Sequence, residues 1–150
     1  MSIQHIEVFV EEESMEVALG SLLPKIIGAV SFSIYRYQGK PDLLGKLPTR
    51  LRAYSASRLP PDWRILVVVD RDNEDCQRLK QELDSCARRN DLAPRAQVIN
   101  RIAVEELEAW YFGDWDALTA CYERLSPSIP RKARYRDPDT IQGGTWENLE

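Results

Sequence analysis

A short apolar stretch that ends in acidic residues is the feature of this sequence that most constrains its fold. The residues from Ile65 to Val69 are all aliphatic, and the chain continues as Asp70-Arg71-Asp72. A continuous, mainly β-branched run is typical of a strand buried on both faces, as in a parallel sheet. Ligands of open α/β sheets bind beyond the carboxyl ends of such strands. The sequence therefore predicts a buried parallel strand whose end carries functional acids.

Asp70 and Asp72 are two residues apart, so on an extended backbone their side chains point to the same side. Both carboxylates could then reach one hard cation, which takes oxygen ligands. We therefore predict that these two aspartates bind Mg²⁺ or Mn²⁺. The structural alternative is a polar turn, because an isolated Asp-x-Asp pattern is common.

Strand and helix patterns alternate along most of the chain. Predicted strands cover Ile6–Val10, Ala29–Tyr37, Arg64–Val69 and Ala96–Ile99. Two predicted helices follow N-caps, at Ser14 and at Asp75. A third begins near Leu43 and is interrupted at Pro48, and a fourth covers Val104–Phe112. Pro24 is expected to end or kink the first helix. This alternation predicts an α/β fold, with a mainly parallel four-stranded sheet and helices on both faces.

The length of 150 residues suits a single domain with a sizeable core. We predict an α/β domain over residues 1–125 and a loop-rich C-terminal extension with short helices over residues 126–150. The last eight residues resemble the start of another helix that is cut short, which fits either a longer natural chain or an artificial end at residue 150.

Cysteine count and hydropathy indicate the compartment. The three cysteines are odd in number and widely spaced, which fits neither a disulfide framework nor a zinc ribbon. No apolar run is long enough to span a bilayer, and no signal peptide is evident. We therefore predict a cytoplasmic protein that does not associate with membranes.

Charge is distributed unevenly. The net charge of −4 argues against generic nucleic-acid binding, but residues 36–64 carry seven Lys or Arg against two Asp. Acidic residues that hold a metal beside a basic surface would suit a phosphate-bearing substrate. The alternative is that these charges lie on solvated helix faces.

Further candidate residues lie at strand ends and on the last predicted helix. Glu11 follows the first strand, whereas the acids after it are ordinary for a helix start. On a helix of 3.6 residues per turn, Glu105 would be solvated while Glu106 and Glu108 flank the apolar face. Lys40 follows Gly39 at a turn, where a solvated lysine is the default and contact with a substrate phosphate the alternative.

Taken in order, these residues resemble a known family. A glutamate at one strand end and an Asp-x-Asp at a later one are the signature of the TOPRIM (topoisomerase–primase) domain. The chain is more closely similar to a bacterial TOPRIM-like family, domain of unknown function 4276. The matching stretches are Val10-Glu11 to Ser14, Gln38-Gly39-Lys40, Asp70-Arg71-Asp72 with Asp75-Cys76, and Glu106-Leu107-Glu108-Ala109-Trp110 with Asp114.

The resemblance implies a three-layer TOPRIM-like sandwich with a metal-dependent phosphodiester site. By position, Glu11 would be a general acid/base or a ligand, and Asp70 and Asp72 would hold Mg²⁺. Glu106 and Glu108 match acids of the closer family, and they are candidates for a second metal. Many TOPRIM domains have glycine after the glutamate, where this chain has Glu12.

Three functions follow as hypotheses. The first is a divalent-metal-dependent nuclease or phosphotransfer enzyme acting on nucleic-acid phosphodiesters. The second is a non-catalytic TOPRIM-like module that binds metal or nucleic acid, or docks on a partner ATPase. The third is a phospho-accepting receiver domain with Asp70 as acceptor; the absence of lysine from residues 94–104 argues against it.

Overall fold

Four strands alternate with helices along the chain. The computed structural model describes residues 2–57, 59–92 and 97–142. The strands are β1 (His5–Val10), β2 (Ser31–Arg36), β3 (Trp63–Asp70) and β4 (Val98–Ala103). The α-helices are α1 (Glu13–Ile27), α2 (Lys40–Ser57), α3 (Cys76–Arg89) and α4 (Trp115–Cys121). A 3-10 helix covers Leu107–Asp114, and shorter 3-10 turns cover Ile129–Arg131, Ala133–Tyr135 and Pro138–Thr140.

The strands form one sheet in the order β2-β1-β3-β4. β1 pairs in parallel with both of its neighbours, and Val10 is opposite Arg36 on one side and Val68 on the other. β1 and β3 are therefore central strands, which explains why their sequences are the most continuously apolar. The predicted parallel four-stranded α/β fold is confirmed.

Side chains alternate between the two faces of the sheet and divide the core. One face contributes Phe9, Ile65, Val67 and Val69 to a cluster with buried residues of α2 and α3. The α2 and α3 members are Leu43, Leu47, Leu51, Leu79, Leu83 and Cys86. The alternate residues of the strands, among them Val8, Val10 and Val68, are also buried. The helix α1 buries Met15, Leu19 and Leu23, so helices cover both faces.

The chain divides into two compact units. Unit 1 contains the residues up to Val69 and those of Asp75–Ile102; unit 2 contains Asp70–Glu74 and the residues from Ala103 onward. The predicted division after residue 125 stays a prediction. Within the described ranges, no helix is both long enough and apolar enough to cross a membrane.

Several predicted boundaries differ from the structure. Ser14 is not the N-cap of α1: the cap is Glu12, and the Ser14 hydroxyl donates to the Glu12 carboxylate over 2.9 Å. The helix α1 does not end at Pro24, and α2 continues through Pro48. Asp75 is confirmed as the cap of α3, since its Oδ1 accepts from the Arg78 N–H at 2.7 Å.

The fourth strand begins and ends later than predicted. It covers Val98–Ala103 rather than Ala96–Ile99, and position 96 lies outside the described residues. Asn100 and Arg101 have weak strand propensity, so sequence pattern alone placed the end too early. Pairing with β3 decides the outcome: the two strands are neighbours in the sheet, and at the end of β4 the Arg71 N–H donates to Ala103 O at 2.9 Å. The suggested helix start in residues 143–150 also lies outside the described residues.

Unit 1 buries a carboxylate in its apolar core. Glu7 on β1 accepts from the Tyr54 hydroxyl at 2.7 Å and lies 3.0 Å from His5 Nε2. The His5 Nδ1 atom is 2.7 Å from the Ser31 hydroxyl. Burial and the hydrogen bond to Glu7 raise the pKa of Tyr54 well above its usual range. The phenol therefore stays protonated and remains a donor to Glu7.

Removal of the Tyr54 hydroxyl should destabilise the protein. In Tyr54→Phe a buried carboxylate loses a donor, which costs about 1.5–3 kcal/mol for a charged group. Denaturant unfolding measures the difference. Tyr122→Phe is the matched control, because Tyr122 is 62% exposed. Equal stability of the two variants would contradict a stabilising role for the Tyr54–Glu7 bond.

A second polar cluster connects α3 to β4. Asp84 lies 3.0 Å from the Lys80 ammonium and accepts from the Asn100 amide at 2.8 Å. Partial burial acts to raise the pKa of Asp84, but the hydrogen bonds from Asn100 and Lys80 and nearby positive charge outweigh it. The pKa of this carboxyl is therefore lowered.

Asp84 should contribute stability only where it is ionised. Its lowered pKa means that the contribution is present above the ordinary pKa of aspartate, about 3.9, and is lost as pH falls below it. Asp84→Asn should therefore be less stable than wild type at pH 7 and nearly equal to it near pH 2. The side chain is 37% exposed, so the difference at pH 7 should be at most about 1 kcal/mol. Thermal unfolding across pH measures it, and a pH-independent difference would refute the ionic contribution.

Candidate functional site

In unit 1, one buried charged residue follows β1 and another begins α2. Glu11 directly follows the strand and is only 8% exposed. Its carbonyl accepts from the Gly39 N–H at 2.8 Å, which continues the pairing of Val10 O with the Tyr37 N–H at 3.0 Å. Gly39 has a φ of 88°, a left-handed conformation that favours glycine. The turn that follows β2 is thereby held beside the end of β1.

Lys40 begins α2 immediately after this turn and is 7% exposed. The expectation of a solvated lysine is wrong. A buried ammonium and a buried carboxylate are costly unless other polar groups compensate them. Both Lys40 and Glu11 take part in polar interactions in the structure. Unit 1 therefore keeps one charge of each sign at the point where the chain enters α2.

In unit 2, the segment after β3 is fixed by backbone hydrogen bonds. The Arg71 N–H donates to Ala103 O at 2.9 Å, and the Asp72 N–H donates to Glu105 O at 2.7 Å. Asp72 and Glu105 both have positive φ, 51° and 66°. A left-handed conformation costs an ordinary residue roughly 1–2 kcal/mol, and aspartate tolerates it better than glutamate. This one hydrogen bond therefore joins two strained residues.

The backbone conformation corrects the argument that paired the two aspartates. The strand ends at Asp70, and Asp72 is left-handed rather than extended. Asp70 is 7% exposed, whereas Asp72 is an exposed residue. The alternation rule of an extended strand therefore does not apply to this pair. Whether both carboxylates bind one ion stays a prediction.

The predicted helix over Val104–Phe112 is wrong in its start and in its type. The 3-10 helix begins at Leu107, and Glu106 caps it, with its carbonyl accepting from the Ala109 N–H at 3.2 Å. Val104, placed on the buried face by a 3.6-residue repeat, is 43% exposed.

Because the predicted helix was wrong, the predicted exposure of the acids in this segment was also wrong. Glu105, expected to be solvated, is only 4% exposed, while Glu106 and Glu108 are partly buried. Burial and the charge of Glu108 raise the pKa of Tyr111, so this phenol remains a hydrogen-bond donor. Glu105 is the residue of unit 2 that the sequence did not identify. A glutamate carries no preference for positive φ, so no local signal marked it.

The donor set limits the kind of metal that fits. Across the described residues, no three His, Cys, Asp or Glu side chains are grouped to hold a metal ion together. Calcium normally takes six to eight oxygen ligands, whereas Mg²⁺ keeps several waters and is bound by one or two carboxylates plus substrate phosphates. The described residues therefore form no all-protein cage for a metal ion, and binding of Mg²⁺ or Mn²⁺ by Asp70 and Asp72 stays a prediction.

The fold and these acids define a class: an α/β domain with a parallel sheet and carboxylates beyond its central strands. The family model for "Domain of unknown function (DUF4276)" matches residues 10–150, and the chain belongs to this family. No curated protein and no solved structure matches the chain.

The conformation of Asp72 should be visible in mutant stability. Asp72→Asn should change the free energy of unfolding by less than about 0.5 kcal/mol, because the side chain is exposed and Asn tolerates left-handed backbone. Asp72→Val should cost roughly 1–2 kcal/mol, because a β-branched residue does not. Asn73→Val is the matched control, since Asn73 is also exposed but does not have positive φ. If both valine variants unfold at the same denaturant concentration, Asp72 is not strained.

Proposed function

We propose that this domain binds Mg²⁺ or Mn²⁺ through Asp70 and Asp72 and acts on nucleic-acid phosphodiesters as a nuclease or phosphotransfer enzyme. The observation that carries the proposal is the strand order. Order β2-β1-β3-β4 reverses the direction of chain progression between β1 and β3. Ligands of doubly wound sheets bind beyond the carboxyl ends of the strands at such a switch point. Asp70 ends one of these two strands.

The properties of the two aspartates suit such a role. Asp70 is buried at the end of a rigid central strand, which fixes the position of its carboxylate. Asp72 is exposed and held by its hydrogen bond to Glu105, so it presents a carboxylate to solvent, from which a substrate approaches. Strained backbone is concentrated at functional sites in many proteins. A bound Mg²⁺ would stabilise charge on the phosphate and activate water or a hydroxyl for attack.

The remaining acids have roles that rest on the TOPRIM resemblance. Glu11 would act as general acid/base or as a further ligand, and Glu106 and Glu108 would assist a second ion. Lys40 would contact a substrate phosphate. The residue after the TOPRIM glutamate, Glu12, is exposed and has a φ of −152°, an extended conformation open to any residue. The backbone at this position therefore does not require the glycine that is common in TOPRIM domains.

A second candidate is a non-catalytic module that binds metal or nucleic acid, or docks on a partner ATPase. It is favoured by the lack of a three-ligand group among the described residues. Three cysteines without disulfide partners are consistent with the cytoplasmic location that we propose for either function.

Asp70→Asn is the decisive variant. It keeps the shape of the side chain and removes the charge, so Mg²⁺-dependent cleavage of DNA or RNA should fall by a factor of roughly 100 or more. Cleavage of labelled single- and double-stranded substrates with Mg²⁺, Mn²⁺ or EDTA measures the activity. Glu123→Gln, an exposed acid of unit 2, is the control and should cleave like wild type.

Each outcome separates the two candidates. Cleavage that survives in a folded Asp70→Asn protein would eliminate the metal mechanism at this residue. A wild-type protein that binds Mn²⁺ in a calorimetric titration but cleaves no substrate would favour the non-catalytic module. Loss of cleavage in Asp70→Asn with an unchanged unfolding midpoint would support the enzyme.

A further inference from the structure

A cleft runs along the exposed edge of the sheet in unit 1. It lies between the edge strand β2 and the helix α2 and has a volume of about 610 Å³. This volume is within the usual range for small-molecule sites, about 300–1,000 Å³. Its lining includes Tyr35, Tyr37, Asp42, Lys46, Thr49 and Arg50. No acid of the proposed metal site is in this lining, so the cleft is a separate feature.

Two cations of the lining have carboxylate partners. Arg36 lies 3.1 Å from Glu13 and 3.6 Å from Glu16. Lys46 lies 2.6 Å from Asp42. These pairs are exposed and their charges are largely satisfied. The third cation of the lining, Arg50, is compensated differently.

The guanidinium of Arg50 lies against aromatic rings and not beside an acid. Its guanidinium carbon lies 4.7 Å from the ring centre of Tyr35, 5.7 Å from that of Phe9 and 6.0 Å from that of Tyr54. Over the described part of the chain, no carboxylate forms an ion pair with it. Its Nε atom is buried and has no hydrogen-bond acceptor.

Such an arrangement is costly in the absence of a ligand. A buried donor without an acceptor is rare in native proteins and calls for an explanation. Contact with three rings restricts the guanidinium, so less side-chain freedom remains to be lost on binding an anion. A planar guanidinium presents a fork of N–H donors that matches phosphate oxygens. The site therefore has a positioned, positively charged anchor inside a cleft.

We propose that this cleft binds a nucleotide, with Arg50 as the anchor for its phosphate. The Tyr37 ring, which also lines the cleft, offers an aromatic surface for a base. Burial raises the pKa of Tyr37 despite the nearby Arg50 charge, so its phenol is a donor at neutral pH. The nucleotide can be free or a unit of a nucleic-acid chain, since both offer the same phosphate and base.

Calorimetric titration of the full chain in EDTA tests the inference without loading the metal site. The probes are AMP, adenosine, inorganic phosphate and a 5′-phosphorylated single-stranded oligonucleotide. We expect AMP or the oligonucleotide to bind at least tenfold more tightly than adenosine and phosphate. Binding of AMP identifies a free nucleotide, and binding of the oligonucleotide alone identifies a nucleic-acid unit.

Two variants of the helix α2 form the matched pair. Arg50→Gln should weaken binding of the successful probe at least tenfold, while Arg52→Gln, which changes an exposed arginine outside the cleft, should bind like wild type. If Arg50→Gln fails to fold, Arg50→Lys replaces it. This variant keeps the positive charge but lacks the planar set of N–H donors, so it should bind the probe with intermediate affinity. Asp70→Asn should bind the probe normally, because no acid of the metal site is involved.

Several results would overturn the inference. Binding of no probe refutes a nucleotide site, and equal affinity for phosphate and AMP refutes recognition of a nucleotide. Equal affinities of Arg50→Gln and Arg52→Gln refute Arg50 as the anchor. Loss of cleavage in Asp70→Asn with intact AMP binding would separate the two sites, and the failure of either proposal leaves the other testable.

Discussion

The parallel pairing of β1 with β3 is the interaction on which the rest of the structure depends. Both strands are central and carry buried apolar side chains on both faces, so removing these side chains from water stabilises the sheet. Their register also fixes where the chain leaves the sheet, since Val10 is opposite Val68. The position of Glu11, the first residue after β1, therefore follows from an apolar pairing in which it takes no part.

Polar groups within the apolar core are the cost of this arrangement, and they are compensated in different ways. Glu7 is surrounded by donors from His5 and Tyr54. Arg50, which is partly exposed and lines the cleft beside this core, lies against aromatic rings and keeps an unsatisfied Nε. Buried ion pairs are weak evidence for stability, because apolar residues of similar size often serve as well. Charged groups that the fold does not need are therefore the natural candidates for function.

Much of the fold could be predicted because its signals are local. The aliphatic run before Asp70 indicated a central parallel strand, and Asp75 indicated the start of α3, since an N-cap acts through its own side chain. The end of β4 could not be predicted, because Asn100 and Arg101 are strand residues only through pairing with β3. The prediction of Ser14 as the N-cap was wrong, because α1 begins one residue earlier, at Glu13, and Glu12 takes the cap position.

The candidate site divides in the same way. Asp70 was found because it ends a strand that the sequence identifies, and its place there is confirmed. The burial of Lys40 and Glu105 could not be found, because it depends on how distant segments pack. Asp72 and Glu105 adopt a left-handed backbone conformation. Neither the neighbouring residues nor the hydrophobic pattern of the sequence indicates it.

A shared fold does not assign the chemistry. The order 2-1-3-4 is common to doubly wound sheets that bind unrelated ligands at the same switch point, so strand order predicts where a ligand binds and not which one. Membership of the DUF4276 family likewise adds no activity. The chemistry must come from side chains, and here two groups of them are unlike ordinary surface residues. Asp70 ends a central strand and Asp72 lies in an exposed, strained segment, while Arg50 forms an ion pair with no described acid. Phosphate is a ligand that both features could recognise, one through a metal ion and the other directly.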